Sequence, residues 1–292
     1  MIGGGPAGVS ASIYLKRAGF DLSLFEKNEI GGLLLNAHLV ENYPGFPDGI
    51  KGKLLCNLLK KHLDNWSIVP MLGEVNKIRL NNDKFIVETD DKKLEYKSVI
   101  IATGTNYKEM DIPIRKQLIG TKVFYEVKNL SSKIKHGDVC TVIGGGDAAF
   151  DYSLNLAEKG CKINIVFRSN KPSCLPLLEK RVKKYSDIQL FPSLIPKDIY
   201  EEKEKTVLLS SNNKKPIDSL PSDKKNSDYI LIACGRKPND KLLTKYFENN
   251  NIPGLYVAGD VRTGRFRQAG IAVGEGIHAA MSVEAYLRGL TK

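Results

Sequence analysis

Apolar residues along the chain fall into two alternating patterns, short continuous runs and longer stretches with a helical period. The runs Val139–Ile143, Lys162–Arg168 and Tyr229–Ala233 are four to seven residues long, which is typical of strands buried in a parallel sheet. Helical spacing places three sets of residues on inward faces: Ala7, Ala11, Leu15 and Ala18; Ala149, Tyr152 and Leu156; Ala272, Val273, Gly276, Ala280, Val283 and Leu287. The alternation of strands and helices predicts an α/β fold.

Two smaller β elements are also predicted. Lys84–Glu88 and Lys93–Tyr96 are predicted to be strands of a small β-meander. The lysine-rich span Glu201–Lys225 is predicted to contain two exposed strands joined by a flexible loop.

The longest informative stretch is Thr141–Gly160, where a predicted strand runs into a glycine turn and then a helix. Gly144 and Gly146 have no Cβ, so the chain turns tightly there and its backbone can approach a pyrophosphate. Ala149 occupies the third small position, and the helix after the turn directs its free N–H groups toward phosphates. A structural glycine turn is the alternative, but the complete strand–turn–helix–strand unit favours a dinucleotide site.

Another glycine turn, Ile2–Gly8, opens the chain and is called the first glycine turn; the turn at Gly144 is the second. Only Met1 and Ile2 precede Gly3, so either the first strand is short or the native chain starts upstream. Strand Leu22–Phe25 ends in Glu26, 18 residues past Gly8, where an acid can accept hydrogen bonds from ribose hydroxyls. This acid favours a nucleotide without a 2′-phosphate, such as the adenosine half of FAD; a solvated strand end is the alternative.

Composition narrows the class of protein. A chain of 292 residues accommodates two domains, and no apolar run approaches 18 residues or forms a signal segment. The five cysteines are odd in number and widely spaced, which excludes a disulfide framework or a metal knuckle and favours a reducing cytoplasm. A net charge of +11 indicates either a lysine-rich surface or an acidic protein partner, and the scattered lysines argue against nucleic acid.

Further motifs follow the first glycine turn in order along nearly the whole chain: Gly31-Gly32-Leu33, Val40–Pro47, Ala102-Thr103-Gly104, Gly235–Asn239, Gly259-Asp260 and Arg267-Gln268-Ala269. In this order they resemble the thioredoxin-reductase-like flavoproteins. Leu33 departs from the glutamine of that family.

The resemblance implies two doubly wound Rossmann-like domains with small β-meanders, the second inserted into the first. Residues 1–108 and 236–292 are expected to form the FAD domain, and residues 109–235 the NAD(P) domain. The implied FAD residues are Gly3, Gly5, Pro6, Ala7, Gly8, Glu26, Lys27, Gly32, Leu33, Asn42, Val75, Ala102, Thr103, Gly104, Gly259, Asp260, Arg267, Gln268 and Ala269. The implied NAD(P) residues are Gly144, Gly146, Asp147, Ala148, Arg168, Gly235 and Arg236. A homodimer and a small redox partner protein are also implied, with no metal, nucleic acid or membrane.

The family pattern breaks before the second glycine turn. Thioredoxin reductases carry a Cys-x-x-Cys pair there, whereas this chain has Val123–Leu130 without cysteine. Cys140 is expected in the core, and Cys161, Cys174 and Cys234 have no neighbouring cysteine in the sequence. A dithiol relay inside the chain is therefore excluded.

The same region, Phe124–Val127 followed by Gly144–Leu156, resembles thioredoxin-reductase-like ferredoxin–NADP reductases, although their C-terminal extension is missing. The expected function is thus an FAD-dependent ferredoxin or flavodoxin–NAD(P) reductase, with no catalytic acid or base. The alternatives are a thioredoxin-reductase-like enzyme with a separate dithiol partner, or a flavin-binding module without nicotinamide turnover.

Coenzyme choice is expected to be weak. NADPH-specific relatives have several arginines at and after the end of the strand Lys162–Arg168, but here only Arg168 remains, with serines at 169 and 173 and a lysine at 171. The strand does not end in an acid, so the NADH signature is missing as well.

Overall fold

In this computed structural model, the described residues are 1–212, 223–243, 252–264 and 266–289. The loop predicted within Glu201–Lys225 falls largely on 213–222, outside the described residues. The helices are α1 Pro6–Arg17, α2 Gly52–Asn65, α3 Val127–Leu130, α4 Asp147–Ala157, α5 Pro176–Val182 and α6 Ala269–Leu287. The strands are β1 Phe25–Glu26, β2 Met71–Leu72, β3 Lys77–Asn81, β4 Lys84–Glu88, β5 Lys93–Tyr96, β6 Val99–Ile101, β7 Thr105–Tyr107, β8 Val123–Phe124, β9 Val139–Ile143, β10 Lys162–Phe167, β11 Ile188–Pro192, β12 Leu194–Glu202, β13 Lys205–Asn212, β14 Asp223–Ser227, β15 Tyr229–Ile232, β16 Arg236–Pro238 and β17 Leu255–Val257.

The chain divides into two compact units. Unit 1 contains Met1–Leu35, Val40–Asn106 and Lys237–Lys292; unit 2 contains Asn36–Leu39 and Tyr107–Arg236. The short segment Asn36–Leu39, which belongs to unit 2, is not anticipated by the boundaries expected from the sequence.

Unit 1 is built on a parallel sheet in which the chain start is central. Ile2 bridges Phe25 on one side and Ile101 on the other, while β2 pairs with β1 and β17 pairs with β6. The first strand is thus as short as the sequence indicates. The strand predicted at Leu22–Phe25 is shorter than expected, because regular pairing covers only Phe25–Glu26.

Helices α1 and α6 pack together in unit 1 through small residues. A Cβ at Gly276 of α6 would lie 2.1 Å from the Ala7 carbonyl oxygen of α1, so only glycine permits this approach. The inward face of α6 includes Ala272, Ala280 and Val283 as predicted, and also Ala279, which the periodicity missed. The antiparallel meander β3–β4–β5 completes unit 1, with β4 and β5 at the predicted positions.

Unit 2 has a five-stranded parallel sheet in the order β11–β10–β9–β15–β8. Alternation of side chains along β9 and β15 sends Cys140, Val142 and Leu231 to a core shared with α4. Ile143 and Ile232 face the antiparallel sheet β12–β13–β14 on the other side. The predicted inward residues of α4, Ala149, Tyr152 and Leu156, are all buried.

Within the described ranges, none of the helices combines the length and apolarity needed to span a membrane.

Candidate dinucleotide-binding sites

Three of the four glycines of the first turn, Gly3, Gly5 and Gly8, are required for different structural reasons. Gly3 has φ +110°, and a Cβ there would lie 2.2 Å from the Ala102 carbonyl oxygen. A Cβ on Gly8 would lie 1.8 Å from the carbonyl oxygen of Gly3. Gly5 has an ordinary φ of −74°, and no described residue lies within 4 Å of a Cβ built there. The protein therefore requires glycine at 3 and 8 for its own packing, while the space at Gly5 suits a ligand that approaches the backbone.

The start of α1 fits the same ligand. Gly5 is the N-cap and gives no side-chain hydrogen bond, and Pro6 at the first helical position has no N–H. The N–H groups of Ala7 and Gly8 in the first turn, and the positive end of the helix dipole, are available to an anion. This is the arrangement that binds a pyrophosphate at a helix N-terminus.

Glu26 ties the end of β1 to the glycine turn. Its Oε2 accepts a hydrogen bond from Gly4 N–H (2.7 Å), and its Oε1 accepts one from Asn28 N–H (2.9 Å). Each carboxylate oxygen keeps another lone pair, so Glu26 can also accept ribose hydroxyls. Lys27 follows it as an exposed residue.

The Gly31-Gly32-Leu33 segment lies against the glycine turn. Gly31 N–H donates to Gly4 O (2.9 Å), and a Cβ on Gly32 would lie 3.2 Å from Gly5 Cα. Leu33 is half-buried in the short 3₁₀ helix that begins at Gly32. The structure thus brings the Gly31-Gly32-Leu33 segment next to the first glycine turn, as the expected FAD site requires.

Asn42 and the start of α6 also meet. Asn42 Nδ2 donates to Gln268 Oε1 (2.8 Å), and Gln268 is the N-cap of the 19-residue helix that begins at Ala269. Arg267 Nε donates to Gly264 O, which fixes the approach to the helix. The free N–H groups at this helix start can stabilise negative charge, as a reduced flavin requires.

The Gly259-Asp260 turn packs on α1, since a Cβ on Gly259 would lie 2.9 Å from Ala7 Cβ. Glu275 holds this turn, because its Oε2 accepts Gly259 N–H (2.7 Å) while its Oε1 pairs with Arg262 (2.6 Å). Glu275 could not be found from the amino-acid sequence, since a single acid within a helix belongs to no recognisable motif. Asp260 itself is partly buried and also has a partner.

The Ala102-Thr103-Gly104 segment is hydrogen-bonded to Asn239, close to the point where the chain re-enters unit 1 at Lys237. Thr103 Oγ1 donates to Asn239 O (2.8 Å), and Asn239 N–H donates to Gly104 O (2.9 Å). Val75, which was expected to contact FAD, has its side chain in the apolar core cluster that includes Phe85. This leaves its backbone for the expected contact.

The second glycine turn, in unit 2, has the same division between glycines required by packing and a glycine with open space. Gly144 has φ +146°, and a Cβ there would lie 2.5 Å from Ala233 O. Gly146 has φ −95° and is the N-cap residue of α4, where no side chain caps the helix. The atom nearest to a Cβ built on Gly146 is Ser173 Oγ at 3.8 Å. Ala148, in the first turn of α4, is exposed. Gly146, like Gly5, leaves open space at a helix start, which fits a pyrophosphate.

Residues 169–175 are fastened to the second glycine turn. Ser173 N–H donates to Gly145 O (2.8 Å), and Leu175 N–H donates to Asp147 Oδ1 (2.7 Å). The Ser169 hydroxyl donates to Lys171 O (2.6 Å), so it is engaged within the loop. Asp147 was expected to contact NAD(P), and one of its two carboxylate oxygens is used to hold this loop.

Arg168 is exposed directly after β10, at the carboxyl edge of the sheet. Arg236, by contrast, is half-buried with its Nη1 2.7 Å from Glu126 Oε1. Asn36 Nδ2 donates to the other oxygen of the same carboxylate (2.6 Å). The charge of Arg236 is thus paired with that of Glu126, and its expected role in binding NAD(P) stays a prediction. Gly235, with φ +111°, is exposed beside it.

The environment of Cys161 differs from the expectation. No cysteine is close to it along the chain, but in the folded sheet it lies beside Cys140, and both are fully buried. Hydrogen bonding to Cys161, together with burial, raises the pKa of Cys140 far above its usual range. All five cysteines are free thiols. Neither thiol of this pair reaches the solvent, so the core assignment of Cys140 stands.

The protein thus contains two strand–turn–helix units. In each, one glycine with open space lies at a helix start that no side chain caps. The family model for pyridine nucleotide-disulphide oxidoreductases matches residues 1–276. The chain belongs to this pyridine nucleotide-disulphide oxidoreductase family. The match covers almost the whole chain and therefore both units.

Individual proteins similar to this chain belong to the thioredoxin reductases. Thioredoxin reductase of Bacillus subtilis (strain 168) is 29% identical, with 99% of this chain and 94% of the relative covered. The crystal structure of Lactococcus lactis thioredoxin reductase in the FR conformation has a TM-score of 0.88 at 28% identity, covering 99% and 98% of the two chains. T. acidophilum thioredoxin reductase has a TM-score of 0.87 at 27% identity, covering 99% and 97%.

These similarities confirm the expected α/β fold with two Rossmann-like nucleotide-binding domains. As a pyridine nucleotide-disulphide oxidoreductase, the protein is an FAD-containing NAD(P)H oxidoreductase of the thioredoxin-reductase type. FAD and the nicotinamide coenzyme supply the hydride-transfer chemistry when bound. The chain's own residues bind and orient them.

Proposed function

We propose that this protein transfers electrons from NAD(P)H, through FAD, to a separate small redox protein in the cytoplasm. FAD is held in unit 1 by the turn Gly3–Gly8, Glu26, Gly32, Asn42, Thr103–Gly104 and the start of α6. The nicotinamide coenzyme is held in unit 2 by the turn Gly144–Ala149 and Arg168. The open space at Gly5 and Gly146, with ordinary φ at both, supports these assignments.

One observation carries the proposal that the acceptor is a separate protein. The family match extends through both nucleotide units, yet residues 123–130 contain no cysteine and the only adjacent thiols, Cys140 and Cys161, are buried. The chain thus has the parts for nicotinamide and flavin but lacks an accessible dithiol of its own. Electrons must leave the flavin directly to a partner.

A thioredoxin-like dithiol protein is the acceptor that best fits the relatives, which are thioredoxin reductases. The balanced reaction is NAD(P)H plus a proton plus the partner's disulfide, giving NAD(P)⁺ and two thiols. The ferredoxin or flavodoxin reductase function, favoured by the sequence alone, receives no specific support from these relatives. It stays a second candidate because of the missing cysteine pair, with one NAD(P)H reducing two one-electron carriers and releasing a proton.

Anaerobic titration tests the proposal. We expect the purified protein to be yellow and NAD(P)H to bleach the flavin absorbance. We then expect the reduced protein to be reoxidised by thioredoxin disulfide or, for the second candidate, by oxidised ferredoxin or flavodoxin. A flavin that NAD(P)H does not bleach would establish a binding module without turnover. Bleaching without reoxidation by any of these carriers would reject a protein acceptor.

A further inference from the structure

Helix α2 of unit 1 has an outward side that combines apolar and basic residues. Leu54 is 55% exposed and Leu58 is 46% exposed, and with Lys61 they follow the spacing i, i+4, i+7 of one helix face. Lys53 and Lys60 lie along one flank of this stripe and are exposed as well. We call these five residues the α2 face.

The lysines of the α2 face carry charge that the protein does not neutralise. Lys53, Lys60 and Lys61 form no ion pair with any residue in the described ranges. The only acidic residue of α2 is Asp64, near the end of the helix. Two exposed leucines bordered by unpaired cations form an apolar centre with a basic rim, which is the composition of a protein interface for an acidic partner.

The opposite side of α2 packs on the candidate FAD site. A Cβ on Gly31 would lie 2.3 Å from the Sγ atom of Cys56, which is buried on the inner side of α2. Gly31 in turn donates to Gly4 O in the first glycine turn. A partner on the α2 face is therefore separated from the Gly31-Gly32 segment by the width of one helix, about 10–12 Å.

We propose that the α2 face is the docking surface for the small redox protein that accepts electrons, through an acidic patch on that protein. This inference rests on the proposed function, and it names the surface and the charge of the partner. Carboxylates of the partner pair with Lys53, Lys60 and Lys61 at the rim, while Leu54 and Leu58 contact an apolar centre. Rim charges of this kind mainly accelerate association and make it sensitive to salt.

The experiment uses the full FAD-loaded protein with two probes, a bacterial thioredoxin and a bacterial flavodoxin. The test variant is Lys53→Glu/Lys60→Glu/Lys61→Glu. The matched control is Lys77→Glu/Lys92→Glu/Lys97→Glu, which changes net charge equally at exposed positions of unit 1 outside α2. A second test variant, Leu54→Ser/Leu58→Ser, removes the apolar centre without changing charge. Binding is measured by calorimetry, kcat/KM by NAD(P)H oxidation, and the nicotinamide–flavin step by reduction of a small dye.

We expect the lysine variant to lower kcat/KM for the carrier by a factor of about 10 to 1,000 at low salt, with weaker binding. The loss should shrink as ionic strength rises. The leucine variant should weaken binding at all salt concentrations. The control should change both quantities by less than about threefold, and dye reduction should be the same in all four proteins.

Equal losses in the lysine variant and the control would overturn the α2 face as the docking surface and leave the proposed function intact. An α2 variant that alters the oligomeric state in light scattering but not carrier kinetics would show that this face joins copies of the chain, which also overturns the inference. A wild-type protein that reduces the dye but neither binds nor reduces a carrier would reject the proposed function, and the docking surface with it.

Discussion

At the scale of single residues, the glycines of the two turns separate into those required by the fold and those left open for a ligand. Gly8 cannot gain a Cβ, because its position is 1.8 Å from Gly3 O, whereas Gly5 has room for one. Gly146 in unit 2 is open in the same way. Substitution of an open glycine therefore acts on ligand binding and not on the packing of the protein.

We expect Gly5→Ala to leave the FAD-free protein as stable as wild type or more stable by about 0.4–1 kcal/mol, because alanine restricts the unfolded chain. Its affinity for FAD should fall at least about tenfold, or ~1.4 kcal/mol. The measurements are flavin absorbance after purification and the melting temperature of the FAD-free form. Gly8→Ala is the control and should lower that melting temperature. Normal FAD content in Gly5→Ala would contradict the assignment of this turn to the pyrophosphate.

At the scale of elements, the loop after β10 determines what the second nucleotide unit presents to a coenzyme. Asp147 and the backbone of Ser173 fasten this loop to the glycine turn, and the Ser169 hydroxyl is used within it. Arg168 remains as the exposed guanidinium next to the strand end. A single arginine can bind a 2′-phosphate but lacks the additional charges that produce strong selection.

We therefore expect wild type to use NADH and NADPH with kcat/KM values that differ by less than about a hundredfold, or ~2.7 kcal/mol. Arg168→Ala should lower kcat/KM for NADPH by about tenfold or more, since a charge-assisted hydrogen bond contributes about 1.5–3 kcal/mol, and should change NADH little. Lys162→Ala, at the other end of β10, is the control. A wild-type preference for NADPH above a hundredfold would show that other residues bind the 2′-phosphate.

At the scale of the whole molecule, the five thiols are distributed over both units without an accessible pair. Cys56, Cys140 and Cys161 are buried, and Cys174 and Cys234 are single thiols at more open positions. Burial raises the pKa of Cys174 to about 11, and burial also raises the pKa of Cys234. Cys174 and Cys234 are therefore poor nucleophiles at neutral pH, and the other three thiols are enclosed in the protein, so none is suited to relay electrons.

Single Cys→Ala substitutions should consequently leave NAD(P)H-dependent dye reduction within about twofold of wild type, because a chain without a dithiol relay uses no thiolate. Cys140→Ala and Cys161→Ala should still lower the melting temperature, since each removes a fully buried side chain. Steady-state kinetics and thermal unfolding measure the two effects separately. Loss of the nicotinamide–flavin step in a folded variant would refute the thiol-free mechanism.

The amino-acid sequence by itself determined the parts of this protein that depend on local pattern. Strand β9, helix α4 and the glycine spacing around Gly144 follow from periodicity and from the lack of a Cβ, so they were predicted correctly. The same holds for the start of α6 at Ala269. These features involve residues close together in the chain, where backbone sterics and hydrophobic spacing act directly.

The tertiary structure alone decided which distant side chains meet. Asp147 holds Leu175, Glu126 neutralises Arg236, and Cys161 lies beside Cys140, although 21 or more residues separate each pair. The side chain of Val75 likewise enters the core because of its packing with Phe85. Such contacts arise when strands and helices from remote segments pack, and hydrophobic spacing within one segment contains no information about the partner on another.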